Sequence, residues 1–98
     1  MSGDELQFEW DEEKAAANLN KHGVSFLRAA EIFANDIVER IDVREDYGEL
    51  RLIALGRTGL TVYRVVFTWR AERVIRLISA QKASRHEQGI YYRETFAG

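Results

Sequence analysis

Residues 61–85 read TVYRVVFTWRAERVIRLISAQKASR, and this stretch decides the fold of the chain. Its β-branched and aromatic residues alternate with other residue types, which is the period-two pattern of two strands with unlike faces. The first strand divides into a face with Tyr63, Val65, Phe67 and Trp69 and a face with Val62, Arg64, Val66, Thr68 and Arg70. The pattern therefore predicts a hairpin at the centre of an antiparallel sheet.

The two faces of this hairpin predict different surroundings. Tyr63 and Trp69 are expected in the core rather than on the surface as stacking platforms for nucleic-acid bases. The opposite face turns guanidinium groups outward, which favours a polyanion on that side. The same arginines also fit a half-exposed sheet whose charges only maintain solubility. The turn at Ala71-Glu72 leaves the register open, and a shift of one residue decides whether Arg76 joins Arg70 on one face.

The composition limits the chemistry of the chain. Its 98 residues predict a single domain over residues 1–98, with a core over about residues 6–96. There is no cysteine, which excludes disulfides and thiolate metal sites, and two histidines are too few for a histidine-rich metal cluster. A carboxylate magnesium site stays open, although no spacing favours one, and no cofactor is expected. Neither a secretory signal nor a transmembrane run is present, so we expect a cytoplasmic protein without membrane contact.

Charge is distributed unevenly along the chain, although the net charge is only −2. Residues 1–50 contain 5 Lys or Arg against 13 Asp or Glu, whereas residues 51–98 contain 9 against 3. The overall acidity argues against a protein that coats nucleic acid without sequence preference. A basic surface formed by the second half would still provide what phosphate binding requires.

Capping residues and glycines predict the remaining elements. A short strand over residues 6–10 precedes a helix that Asp11 caps and Gly23 ends, and Ser25 caps a second helix that ends near Asn35. Strands follow over residues 37–43 and 51–56 ahead of the central hairpin, and Ser84 and Glu87 match a capping box at the start of the last helix. The order is β-α-α-β-β-β-β-α. We expect a small α+β domain with an antiparallel sheet of four to five strands, two N-terminal helices on one side and one C-terminal helix.

An ordered set of short segments resembles one protein family. The segments are Phe8-Glu9-Trp10-Asp11 with Lys14 and Asn18; Lys21-His22-Gly23 with Phe26 and Ala30; Tyr47-Gly48-Glu49-Leu50-Arg51 and Gly56; Phe67-Thr68-Trp69-Arg70; and Ile75 to Ala83 with Glu87 and Tyr91. Together they resemble BrnT-type toxins, the ribonucleases of bacterial type II toxin–antitoxin pairs. The resemblance spans roughly residues 8–92, and Gln81 departs from it where a cation is expected.

The resemblance implies a RelE-like fold and endoribonuclease activity that needs no metal. It also implies a tightly bound antitoxin, similar to BrnA and of the ribbon-helix-helix type, in a hetero-oligomer. Operator DNA would be contacted only through that complex. A different class remains open, a non-catalytic module whose basic sheet face binds RNA or an acidic partner.

Candidate site residues follow from the resemblance together with the chemistry of RNA cleavage. Attack by the neighbouring 2′-OH needs a base, an acid for the leaving 5′-oxygen, and cations for the charge on the phosphorane. The catalytic candidates are Arg70, Glu87 and His22, and the candidates for RNA or phosphate binding are Lys21, Arg64, Arg76, Lys82 and Arg85. Whether Glu87 is a catalyst or only a helix cap stays open at this point.

Overall fold

The computed structural model describes residues 5–96, so residues 1–4 and 97–98 of the predicted domain lie outside the described part. The helices are α1 (Glu12–His22), α2 (Phe26–Ala30), which continues into a 3₁₀ turn (Glu31–Ala34), and α3 (Arg85–Phe96). The strands are β1 (Gln7–Glu9), β2 (Ile37–Ile41), β3 (Leu52–Thr58), β4 (Thr61–Ala71) and β5 (Val74–Lys82). The predicted element order and the α+β class are confirmed.

The strands form one five-stranded sheet in the order β1-β5-β4-β3-β2. All neighbouring strands are antiparallel except β1, which runs parallel to β5 with Glu9 opposite Arg76. The parallel edge makes the sheet mixed, whereas the strand pattern predicted an antiparallel one. Helices α1 and α2 connect β1 at one edge of the sheet to β2 at the other, so no hairpin turn imposes antiparallel pairing on β1 and β5.

The N-terminal helices cover the aromatic face of the sheet, as predicted. Val65, Phe67 and Ile75 are fully buried there against Phe26 and the 3₁₀ turn, together with other apolar residues. Gly56 is required at this contact, because a Cβ on it would lie 2.7 Å from Ile32 Cβ. Tyr63 is buried as expected.

Trp69 departs from the core prediction, because 47% of its surface is exposed. It lies near the end of β4, on the face that the N-terminal helices cover, where it contacts Phe67 edge-on. Alternation assigned the correct face to Trp69. The area of that face that the helices cover depends on tertiary packing, so the alternating pattern could not predict the exposure of Trp69.

A buried asparagine ties α1 to the sheet. Asn18 donates from Nδ2 to the carbonyl oxygens of Val24 and Ala80, and its Oδ1 accepts from the N–H of Ala80. Strand β1 pairs with β5 only over residues 74–76, so Ala80 lies beyond β1 along that edge of β5. The Asn18 amide therefore supplies hydrogen bonds that a neighbouring strand would otherwise make.

The opposite face of the sheet is also partly covered, which corrects the expectation of a cationic face open to solvent. Tyr91 of α3 packs there against Leu55 and Val62. The connection between β2 and β3 is folded back towards this face, where the Thr68 hydroxyl donates to the carbonyl oxygen of Leu50. The cations on this face therefore lie around buried patches.

The turn between β4 and β5 settles the open register. Ala71 pairs with Val74, so Glu72 and Arg73 form a two-residue connection, and Arg73 takes a positive φ of 70°. Thr68 lies opposite Arg76, and a bulge follows at Arg70. Arg76 therefore shares the face of Arg70.

Candidate active site

The start of α3 lies beside β4 because the chain leaves the sheet without a loop. Ala83 follows β5 directly and still donates to the carbonyl oxygen of Val62. Ser84 then caps α3, since its Oγ accepts from the N–H of Glu87 at 3.1 Å, and Glu87 Oε1 accepts from the N–H of Ser84 at 2.9 Å. The predicted capping box is present, and it fixes the first turn of α3 next to Arg64.

Glu87 and Arg64 form the central contact of this region. The Nε of Arg64 lies 3.1 Å from Oε2 of Glu87, so one carboxylate oxygen caps the helix and the other accepts from the guanidinium. The side chains are 16% exposed for Arg64 and 26% exposed for Glu87. Both groups are thus held in place yet remain within reach of a ligand.

The pair lines a cleft of about 200 Å³ between α3 and the sheet. Its other walls are Arg40 of β2, His86 of α3 and the apolar residues Ile53, Leu55 and Ile90. The cleft thus combines two guanidinium groups, an imidazole and a carboxylate. These are the functional groups that proton transfer at a phosphodiester requires.

Two of the polar cleft residues, His86 and Arg40, were not among the candidates from the sequence. His86 directly precedes Glu87 within the capping box. Its position in the first turn of a capped helix could have identified it as a candidate site residue. Arg40 reaches the cleft through the pairing of β2 with β3, where it lies opposite Ile53. No local sequence pattern predicts which strand β2 pairs with, so the position of Arg40 could not be predicted.

The electrostatic environment of the cleft favours an anion. Arg64 and Arg40 line the cleft, and Arg85 is exposed at the start of α3, whereas Lys82 pairs with Tyr63 and so lies on the face that the N-terminal helices cover. The N-terminal end of α3 contributes a further partial positive charge from its backbone. Glu87 offsets only part of this charge.

A second group of charges lies farther along the same sheet face. Glu9 Oε2 is 2.9 Å from Arg76 Nη1 and 3.6 Å from Arg70 Nε. Arg70 follows Arg64 by six residues in β4, which corresponds to about 20 Å along an extended strand. The structure therefore brings Arg64 to Glu87 and brings Arg70 to Arg76, as two separate groups.

The remaining candidates, Lys21 and His22, occupy the last turn of α1. Gly23 ends this helix with a φ of 72°, as predicted. Helix α1 packs on β5 through Asn18, on the face opposite the cleft. No described contact within residues 5–96 joins either residue to Glu87.

Within residues 5–96, no group of three or more His, Asp or Glu side chains converges as a set of metal ligands. No helix in that range combines the length and the apolar character that crossing a bilayer demands.

Comparison with known proteins adds independent information about the fold and the family. Residues 10–87 match the family model described as "Ribonuclease toxin, BrnT, of type II toxin-antitoxin system". The chain is similar to the crystal structure of the Brucella abortus ribonuclease toxin BrnT, with 28% sequence identity and a TM-score of 0.62. That alignment covers 82% of this chain and 99% of the Brucella chain. A comparison with curated protein sequences gives no significant match.

Proposed function

This chain belongs to the BrnT family of type II toxin–antitoxin ribonuclease toxins, and we propose that it cuts RNA in the cleft between α3 and the sheet. The observation that carries the proposal is the 3.1 Å contact of Arg64 with a Glu87 carboxylate that is fixed by its helix cap. A guanidinium and a carboxylate held against one cleft provide charge stabilisation and proton transfer at the same phosphate.

The proposed reaction is attack by the RNA 2′-oxygen on the adjacent phosphorus. Glu87 accepts the 2′-OH proton while the P–O5′ bond breaks, and protonated His86 donates a proton to the leaving 5′-oxygen. The products are a 2′,3′-cyclic phosphate and a 5′-hydroxyl. The reaction needs no metal as written, because every proton and electron pair is transferred between RNA and the side chains.

Arg64 and Arg40 have the complementary task in this proposal. Negative charge grows on the non-bridging oxygens as the pentacovalent phosphorane forms, and planar guanidinium groups donate two hydrogen bonds to such oxygens. Arg64 is positioned by its pairing with Leu55 and Gln81 within the sheet. A donor fixed in this way loses little entropy when the transition state forms.

The family also implies an antitoxin as partner. We propose that a BrnA-like antitoxin of the ribbon-helix-helix type binds the sheet face of Arg64 and Arg76, and that operator DNA is contacted only through this complex. Hydrogen exchange on the purified complex tests this arrangement. Protection of residues 64–85 is expected to rise on complex formation, and unchanged protection would place neutralisation elsewhere.

Incubation of the purified chain with RNA in EDTA separates the enzyme from a binding module without chemistry. The enzyme produces RNA fragments under these conditions, whereas a binding module shifts the RNA without shortening it. Absence of fragments despite RNA binding would favour the module.

A further inference from the structure

Two arginines outside the cleft converge on one carboxylate oxygen. Arg76 Nη1 and Arg70 Nε lie 2.9 Å and 3.6 Å from Oε2 of Glu9. A guanidinium group donates hydrogen bonds to the oxygens of a carboxylate or of a phosphodiester in the same planar arrangement. The geometry therefore shows that this pair of side chains can bind a single oxyanion, with Glu9 occupying that position in the free protein.

The backbone sets up this convergence. Parallel pairing of β1 with β5 places Glu9 opposite Arg76, and antiparallel pairing places Thr68 opposite Arg76 on the other side. The bulge beside Trp69 then puts Arg70 at the point where β4 leaves regular pairing. All three side chains project from the sheet, so the cluster is anchored by strands rather than by a loop.

The cluster is open to ligands and carries an excess positive charge. The side chains are 52% exposed for Arg70, 33% for Arg76 and 41% for Glu9. Ion pairs with this degree of exposure contribute little to stability, because water screens them. An incoming phosphate can therefore displace Glu9 at small cost.

From this geometry we propose that Arg70 and Arg76 form a second phosphate-binding subsite for single-stranded RNA, and that Glu9 holds the place of the phosphate until RNA binds. The subsite lies on the same sheet face as the cleft, about 20 Å from Arg64 along β4. The β2–β3 connection covers Thr68 between the two groups, so a single strand bound in the cleft would pass over that connection and reach the subsite within a few nucleotides. The proposal rests on the proposed function, and it assigns these arginines to substrate binding rather than to bond cleavage.

The test measures binding of a short RNA whose 2′-hydroxyls are all methylated, so that cleavage does not interfere. Glu9→Gln is expected to tighten binding by about two- to tenfold, since it removes the competing carboxylate. The double substitution Arg70→Gln with Arg76→Gln is expected to weaken binding and to lower the slope of log K against log salt by about 0.7, the value for one phosphate on a single strand. With cleavable RNA the double variant should raise KM by a larger factor than it lowers kcat.

Arg28 and Glu31 provide a matched control. They form an exposed ion pair at 3.0 Å on the helical side of the molecule. Glu31→Gln makes the same chemical change there as Glu9→Gln, and Arg28→Gln removes one of the two positive charges that the double variant removes. Both should leave RNA affinity at the wild-type value. This comparison separates a defined subsite from a general effect of net charge.

Three outcomes would overturn the proposal. Wild-type or weaker binding by Glu9→Gln would show that Glu9 does not compete with phosphate. Wild-type binding by the double arginine variant would remove both residues from the RNA path. Loss of antitoxin binding with unchanged RNA binding would make the cluster a site for an acidic protein side chain instead. Because binding is measured on an uncleavable RNA, each of these results is independent of whether the chain cuts RNA.

Discussion

At the scale of single residues, the structure gives the two oxygens of Glu87 different partners. Oε1 caps α3 through Ser84, while Oε2 faces Arg64 and the cleft. The helix cap and the proposed general base are therefore not alternatives, because one Glu87 carboxylate makes both contacts. The cap fixes the rotamer in which Oε2 lies on the cleft.

Glu87→Gln and Ser84→Ala separate these two contacts. Gln keeps an acceptor for the helix cap but takes up no proton at neutral pH, so we expect cleavage to fall about 100-fold or more. Loss of the Arg64 ion pair should cost about 1 kcal/mol of unfolding free energy. Ser84→Ala should cost about 1 kcal/mol through the lost cap and leave the activity of folded protein nearly intact. Normal cleavage by Glu87→Gln would leave Glu87 as a cap alone.

The two histidines provide a second comparison at this scale. His86 lines the cleft, whereas His22 ends α1 on the other side of the sheet. We expect His86→Ala to reduce the cleavage rate by about 100-fold, the scale of a lost general acid. His22→Ala should have a much smaller effect, and a larger loss with His22→Ala would move the proton donor to α1. Rates on the same RNA under single-turnover conditions make this measurement.

At the scale of elements, the sequence was sufficient to predict features that depend on nearby residues, but not those that depend on contacts between distant segments. Asp11, Gly23, Ser25 and Ser84 delimit helices through groups within a few residues, so their roles were predictable. The parallel pairing of β1 and the bulge at Arg70 depend on contacts between distant segments. Secondary-structure propensities and the periodicity of apolar residues give no information on such contacts.

Asn18 is the clearest long-range link between elements. Its amide makes three buried hydrogen bonds that join α1 to Val24 and to the edge of β5. Asn18→Ala leaves the Ala80 groups unsatisfied, which should lower the free energy of unfolding by about 2–4 kcal/mol. Asn20→Ala, an exposed change in the same helix, should stay within about 0.5 kcal/mol. Urea denaturation compares the two variants, and equal midpoints would refute the role of Asn18.

The stability of the connection between β2 and β3 is expected to depend on pH, because this connection contains one buried carboxylate, that of Asp42. Hydrogen bonds from the Arg44 guanidinium hold the pKa of Asp42 far below its usual range, against the burial that raises it. A lowered pKa stabilises the fold while the carboxylate is charged. This stabilisation is complete above the unfolded pKa of about 3.9 and is lost as pH falls towards the lower folded value.

Asp42→Asn tests that dependence. The wild-type protein should lose stability more steeply than the variant as pH falls from 5 to 2, because only the wild type must protonate this carboxylate. Thermal unfolding at a series of pH values gives both curves. Parallel curves would mean that the Asp42–Arg44 contact adds nothing to stability in acid.

At the scale of the whole molecule, the charge asymmetry of the sequence becomes a distribution over one sheet face. The basic second half supplies Arg64, Arg70 and Arg76, while the acidic first half contributes Glu9 as a resident counter-ion. Sequence reasoning found most of these residues through alternation. Their division into a cleft and a second cluster depended on the register, and Arg40 depended on the pairing of β2. The residue types of the candidate site were therefore predictable from the sequence, but their grouping was only partly so.

The ends of the RNA fragments formed in EDTA test the central claim most directly. Attack by the 2′-oxygen in the cleft predicts a 2′,3′-cyclic phosphate on one fragment and a 5′-hydroxyl on the other, both identifiable by mass spectrometry. The same RNA with a single 2′-deoxy residue at the cut position should remain intact. Fragments with 3′-hydroxyl and 5′-phosphate ends, or cleavage that appears only when magnesium is added, would contradict the account.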